Sequence, residues 1–140
     1  MEFSPDIFVA TAEGFKIVIQ AKTRVRDLQR TEAQLKEYMV GMQIPVGILA
    51  TPETIWLYRD AFTGRSPKSV QRVGEYRTAA FWPYTPRQDA EFEAFVQHWL
   101  EDLKIGTPSE VPADLREALR EYVLPAVTSG SVRAAHPRTS

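Results

Sequence analysis

Hydrophobic and polar positions alternate, run together or recur at helical spacing in an order that predicts the elements of the chain. Residues 6–11, Asp-Ile-Phe-Val-Ala-Thr, form a short apolar run, and residues 16–22, Lys-Ile-Val-Ile-Gln-Ala-Lys, form a second. Glu13-Gly14 lies between them, so the pair predicts a β-hairpin. In residues 26–43, Leu28, Leu35, Met39 and Met42 recur at helical spacing and Pro45 follows, which predicts an amphipathic helix. Residues 46–50 and 54–59 predict two further strands around a Thr51-Pro52-Glu53 turn. The stretch 60–86 is a long connection with another strand near 69–76. Residues 87–104 place Phe92, Phe95, Val96, Trp99, Leu100 and Leu103 on one helical face, and 113–123 predict a last helix with Leu115, Leu119 and Tyr122 inward. Ser, Gly, Pro and Arg dominate from Thr128 onward, so 128–140 is expected to be a disordered tail behind a single domain of residues 1–127. The fold class is therefore α/β, a small mixed sheet flanked by helices.

Composition narrows the chemistry. A chain of 140 residues with 44% hydrophobic and 25% charged residues is large enough for one core. No apolar run reaches the length of a membrane span, and the N-terminus has no signal-peptide pattern. Cysteine is absent, which excludes disulfides and thiolate chemistry and fits a cytoplasmic location. Of the two histidines, His98 reads as a surface residue of an acidic helix, and His136 lies in the tail with no role assigned.

Charge is unevenly spread. Residues 45–87 carry six Lys/Arg against three Asp/Glu, and residues 88–127 carry three against nine. The plain reading is solvated surface; the sharper one sets a polyanion on the basic face.

The hairpin concentrates the candidate chemistry. Gln20 and Lys22 point to one side of their strand, and antiparallel pairing brings the start of the first strand, Asp6, beside them. A carboxylate, an amide oxygen and an ammonium then converge at one end of an apolar sheet. Read alone, Asp6 and Lys22 make a cross-strand ion pair on a solvated edge. On the following helix, Gln34 and Tyr38 share one flank of the apolar stripe with Asp27 and Thr31, and Glu32 falls on the other.

The ordered set Pro5-Asp6, Gln20-Ala21-Lys22 and Gln34-x-x-x-Tyr38 resembles the PD-(D/E)XK nuclease superfamily, whose RecB-type members carry a Gln-x-x-x-Tyr motif on the helix after the catalytic strand. The resemblance covers roughly residues 5–60 and implies a restriction-endonuclease-like fold. Two departures stand out. Gln20 occupies the place of the second acidic residue, for which Glu37 and Asp27 are substitutes from the helix. The superfamily usually has a helix before the first strand, whereas Met1 stands five residues before Asp6, so either this sequence is a truncated piece or the helix is absent.

The activity implied is Mg²⁺-dependent hydrolysis of DNA phosphodiesters, with Mn²⁺ as a substitute ion. Asp6, the Gln20 side-chain oxygen and the Ala21 carbonyl would bind the metal. Lys22 would orient the attacking water or stabilise developing charge, and Gln34 and Tyr38 would position the strand. The competing expectation is a catalytically inactive module of the same fold that binds nucleic acid or a protein. The DNA backbone is expected along Arg24, Arg26 and Arg30 and along Arg65, Lys68 and Arg72, both groups lying near the active end of the sheet. Phe81-Trp82-Pro83-Tyr84 reads as an exposed aromatic cluster and a candidate dimer contact; a partner domain is the other protein partner expected. No membrane association is expected.

Overall fold

The computed structural model describes residues 3–82 and 86–136. Six strands form one mixed sheet: β1 (Ile7–Thr11), β2 (Gly14–Ala21), β3 (Val46–Ala50), β4 (Thr54–Asp60), β5 (Val70–Arg77) and β6 (Ser131–Ala134), in the order β5-β4-β3-β2-β1-β6. Only β2 and β3 run parallel; every other neighbouring pair is antiparallel. The parallel pair is joined by helix α1 (Leu28–Met42), as a crossover of that length requires. Helices α2 (Asp89–Asp102), α3 (Ala113–Ala118) and α4 (Leu124–Ser129) complete the chain, with a π-helical turn over Leu119–Val123 between the last two.

Strand alternation sorts the core into two layers. Val18, Leu49, Trp56 and Tyr58 face α1 and its Leu35 and Met39. Ile7, Val9, Ile17, Ile19, Ile48 and Leu57 face the other way, onto Phe92, Val96, Leu100, Leu115 and Leu119 of the later helices. A sheet covered on both faces needs strands apolar on both sides, which is why β2 and β3 read as continuous runs. The α1 layer lies close to the sheet at Gly47, where a Cβ would stand 2.5 Å from Met39 Sδ. Asp27 caps α1 by accepting the Arg30 N–H at 3.1 Å. Met42, expected on the buried stripe, is 51% exposed because it is the last helical residue.

Three expectations are corrected. The tail does not begin at 128: α4 continues to Ser129, and β6 pairs with β1 through Ile7–Ala134, Phe8–Arg133 and Val9–Val132. Pro125 sits in the first turn of α4, where its missing N–H costs little, just after the π turn. Gly130 then lets β6 dock, since a Cβ there would overlap the Ala10 carbonyl oxygen. Residues 137–140 of the expected tail lie outside the described residues. Second, Trp82 is buried, packed edge-on against Phe92, Phe95 and Trp99, while Phe81 stacks on Trp99 at 5.7 Å. These rings belong to the core rather than to an exposed contact; Pro83 and Tyr84 lie outside the described residues. Third, the loop 61–69 lies at the end of the sheet opposite Asp6. β3 and β4 turn tightly at 51–53, so β4 runs away from the Asp6 end and finishes with Asp60 N–H bonded to Pro45 O at the start of β3.

Candidate active site

Asp6 stands just before β1 and is 3% exposed. The register Ile7–Ile19 carries it to a place beside Gln20, and its backbone N–H donates to Ile19 O at 3.0 Å. Its carboxylate has one well-made bond, from the Ala21 N–H to Oδ2 at 2.8 Å. The other oxygen meets Lys22 Nζ at 3.4 Å, long for a charge-assisted contact. Burial lifts the Asp6 carboxyl above the ordinary carboxylate range, against the opposing pull of the Ala21 N–H, the Lys22 ammonium and His136.

Gln20 is 9% exposed, and its Oε1 is buried with no hydrogen-bond partner. It shares a face of β2 with Val18 and is paired in register with Leu49, so apolar side chains lie on the sides away from Asp6. Leaving such an oxygen unbonded costs about 1–3 kcal/mol. Asp6 and Gln20 thus offer one underbonded carboxylate oxygen and one unbonded amide oxygen at the same end of the sheet. Lys22 follows β2 with its side chain 31% exposed. Ala21 is fully buried, and its contact with Asp6 is through the amide rather than the carbonyl.

The surrounding chain is pinned to this end. Lys22 N–H donates to Ala50 O at 3.0 Å. The next residue, Thr23, donates from its N–H at 2.7 Å and its hydroxyl at 2.9 Å to Asp89 Oδ1, which ties the start of α2 to the segment leaving Lys22. Ala135 N–H donates to Asp6 O at 2.9 Å, so His136 ends up near enough to Asp6 for its charge to act there. His136 and Asp89 were not legible as site neighbours. Asp89 falls within the acidic stretch 88–127 and its spacing marks no partner, and His136 falls in the expected tail, where it stands just past β6.

Tyr38 lies on the flank of α1 that faces β1. It lies 5.0 Å from Phe3 and 6.4 Å from Phe8, ring centre to ring centre, and burial raises its hydroxyl above the usual phenol range. Gln34 lies one turn nearer the N-terminus of α1, the end of the helix that adjoins the β2 exit. Asp27 is taken up as the helix cap, and Glu37 is exposed.

The basic residues divide. Arg24, Arg26 and Arg30 are exposed on the connection from Lys22 into α1, at the Asp6 end. Arg65 and Lys68 are exposed in the loop at the far end of the sheet, a strand length away. Arg72 is engaged by Glu32 of α1, which it contacts from Nε at 2.9 Å and Nη2 at 2.6 Å. A single backbone path through both basic groups and Asp6 is therefore corrected: only the first group adjoins the site.

Among the described residues no three His, Cys, Asp or Glu side chains converge as a metal cluster, and no helix is long and apolar enough to cross a membrane. No protein-family model, no curated protein and no solved structure matches the chain.

Proposed function

We propose that the chain is a PD-(D/E)XK-like, divalent-metal-dependent nuclease that hydrolyses DNA phosphodiesters at the Asp6 end of its sheet. The observation that carries this reading is the buried, unpartnered Gln20 Oε1 beside the buried Asp6 carboxylate. Hard cations take oxygen ligands, and Mg²⁺ commonly uses one or two carboxylates with waters and substrate phosphates. Asp6 and the Gln20 oxygen fit that donor set. Bound there, the cation would polarise the phosphate and lower the pKa of a water. Lys22 supplies a positive charge next to Asp6, positioned to stabilise charge developing on the phosphate. Gln34 and Tyr38 flank the approach, and Arg24, Arg26 and Arg30 supply cations for the backbone.

Gln20 also supports a second reading, a module that keeps the geometry but binds nucleic acid without cutting it, because an amide brings no negative charge to a cation. Calorimetric titration with Mg²⁺ or Mn²⁺, alongside cleavage of plasmid and oligonucleotide DNA, separates the two. The nuclease reading expects metal binding that Asp6→Ala removes and cleavage that Asp6→Ala and Lys22→Ala both abolish. Metal binding that survives Asp6→Ala, or none in the parent chain, overturns it.

A further inference from the structure

Four aromatic rings form a strip that leads away from Asp6. Phe3 packs on Tyr38 at 5.0 Å, Tyr38 on Phe8 at 6.4 Å, and Phe8 stacks on Phe15 at 4.4 Å with an interplanar angle of 24°. Phe3, Phe8 and Tyr38 are half-buried, and Phe15 is 43% exposed.

The position of Phe15 is set by a local irregularity. Strict alternation would put it on the face of Ile17 and Ile19, beneath the later helices. The β1–β2 register slips between Val9 and Ala10, so that Val9 pairs with Ile17 but Ala10 pairs with Phe15. Lys16 is the extra residue, and Phe15 is turned onto the face that carries Phe8. Bulges re-aim side chains in this way, often near functional sites. On that face Phe15 stacks on Phe8 at the margin of the α1 layer and is left 43% exposed.

Cations lie beside the strip, and Glu13 stands in the turn at its Phe15 end. Arg133 of β6 is the register partner of Phe8, so it shares that face, and it is exposed. Its Nε donates to Ser131 Oγ at 2.9 Å, which holds the side chain along β6. Lys22 stands at the Asp6 end, and Arg24 and Arg26 follow it. From Asp6 to the Ala10–Phe15 row is four residues, about 13 Å, a length that holds roughly three to four stacked bases.

We propose that Phe3, Tyr38, Phe8 and Phe15 form a stacking track for the bases of a single nucleic-acid strand, with Arg133 on its backbone and its end delivered to Asp6. The proposal builds on the nuclease reading by assigning its substrate class, single strands rather than duplex. Paired bases in a duplex keep their faces inside the stack, whereas unpaired bases can lie on exposed rings, with cations tracking the phosphates.

The test is binding in EDTA, with no metal present, by fluorescence anisotropy of labelled oligothymidylate of about eight nucleotides and of a duplex of equal length. Phe15→Ser and Arg133→Ala should each weaken the single strand about tenfold and leave duplex affinity unchanged. Phe15→Trp should restore binding, and its added emission should be quenched by the oligonucleotide, which also shows that the site tolerates exchange. Unchanged single-strand affinity in Phe15→Ser, equal loss for single strand and duplex, or no oligonucleotide binding by the parent chain would overturn the proposal; the last outcome would make the strip a protein-docking face. The two readings fail separately. A chain that binds no metal and cuts nothing, yet shows the Phe15 effects, keeps the track and loses the nuclease.

Discussion

Arg72 donates from both Nε and Nη2 to a single oxygen of Glu32, and the hydroxyl of Tyr58 donates to that same oxygen at 2.6 Å. This joins β5 and β4 to α1 across the layer interface. Tyr58 is fully buried, so its hydroxyl depends on this partner. Burial opposes the charge on Glu32, but the bonds from Tyr58 and Arg72 outweigh it and hold the carboxyl below its ordinary range. Burial and the adjacent carboxylate push the Tyr58 hydroxyl far above the usual phenol range.

Glu32→Ala should therefore destabilise the fold by about 1–3 kcal/mol at neutral pH, because Tyr58 is left with a buried donor. A carboxyl with a lowered folded-state pKa adds stability above its unfolded value and loses it as pH falls through the folded value. The gap between Glu32→Ala and the parent should narrow as pH drops below the ordinary glutamate range. Urea unfolding at neutral and acidic pH measures it.

The same geometry removes Arg72 from the list of free phosphate ligands. Arg24→Ala and Arg26→Ala should each lower the salt slope of DNA binding by about one unit, whereas Arg65→Ala and Lys68→Ala, at the far end of the sheet, should leave it unchanged. Titrations at several salt concentrations read this directly.

Most elements were legible because their signals are local. The β2 and β3 runs, the α1 stripe through Leu35 and Met39, and the α2 face through Phe92, Val96 and Leu100 each depend on spacing along the chain. The neighbourhood of Asp6, Gln20 and Lys22 was legible for the same reason, since a hairpin register follows from its turn. What escaped was set by tertiary contact. β6 carries few apolar residues and owes its existence to the free edge of β1 and to the close fit of Gly130 against Ala10. The direction of the loop 61–69 follows from topology, which no residue in the loop encodes. The aim of Phe15 depends on a one-residue slip.

Gly130→Ala tests the β6 docking. The added Cβ meets backbone, which cannot swing aside, so a loss of about 1–3 kcal/mol is expected. Thermal unfolding should show a lowered Tm. Faster amide exchange at Val132 and Ala134 would locate the loss in β6 rather than in the α2 core.

Asp6 carries a cost of the opposite kind. Its raised folded-state pKa means that the folded chain disfavours the charged form, so stability falls as pH rises from the ordinary aspartate range to the folded value, and the penalty persists above it. Asp6→Asn should therefore raise Tm at neutral pH in metal-free buffer, and the difference should vanish in acid. A carboxylate kept where it weakens the fold is the pattern expected of a functional group.

The most direct measurement is a calorimetric titration of the intact chain with Mg²⁺ and Mn²⁺, repeated with Asp6→Ala and with Gln20→Leu. Gln20→Leu removes the unbonded oxygen and packs against Val18 and Leu49. Saturable binding in the parent, abolished by Asp6→Ala and weakened about tenfold or more by Gln20→Leu while that variant stays folded, is the predicted result. Equal metal affinity in all three chains, or no binding in the parent, would contradict a metal centre built on Asp6 and Gln20.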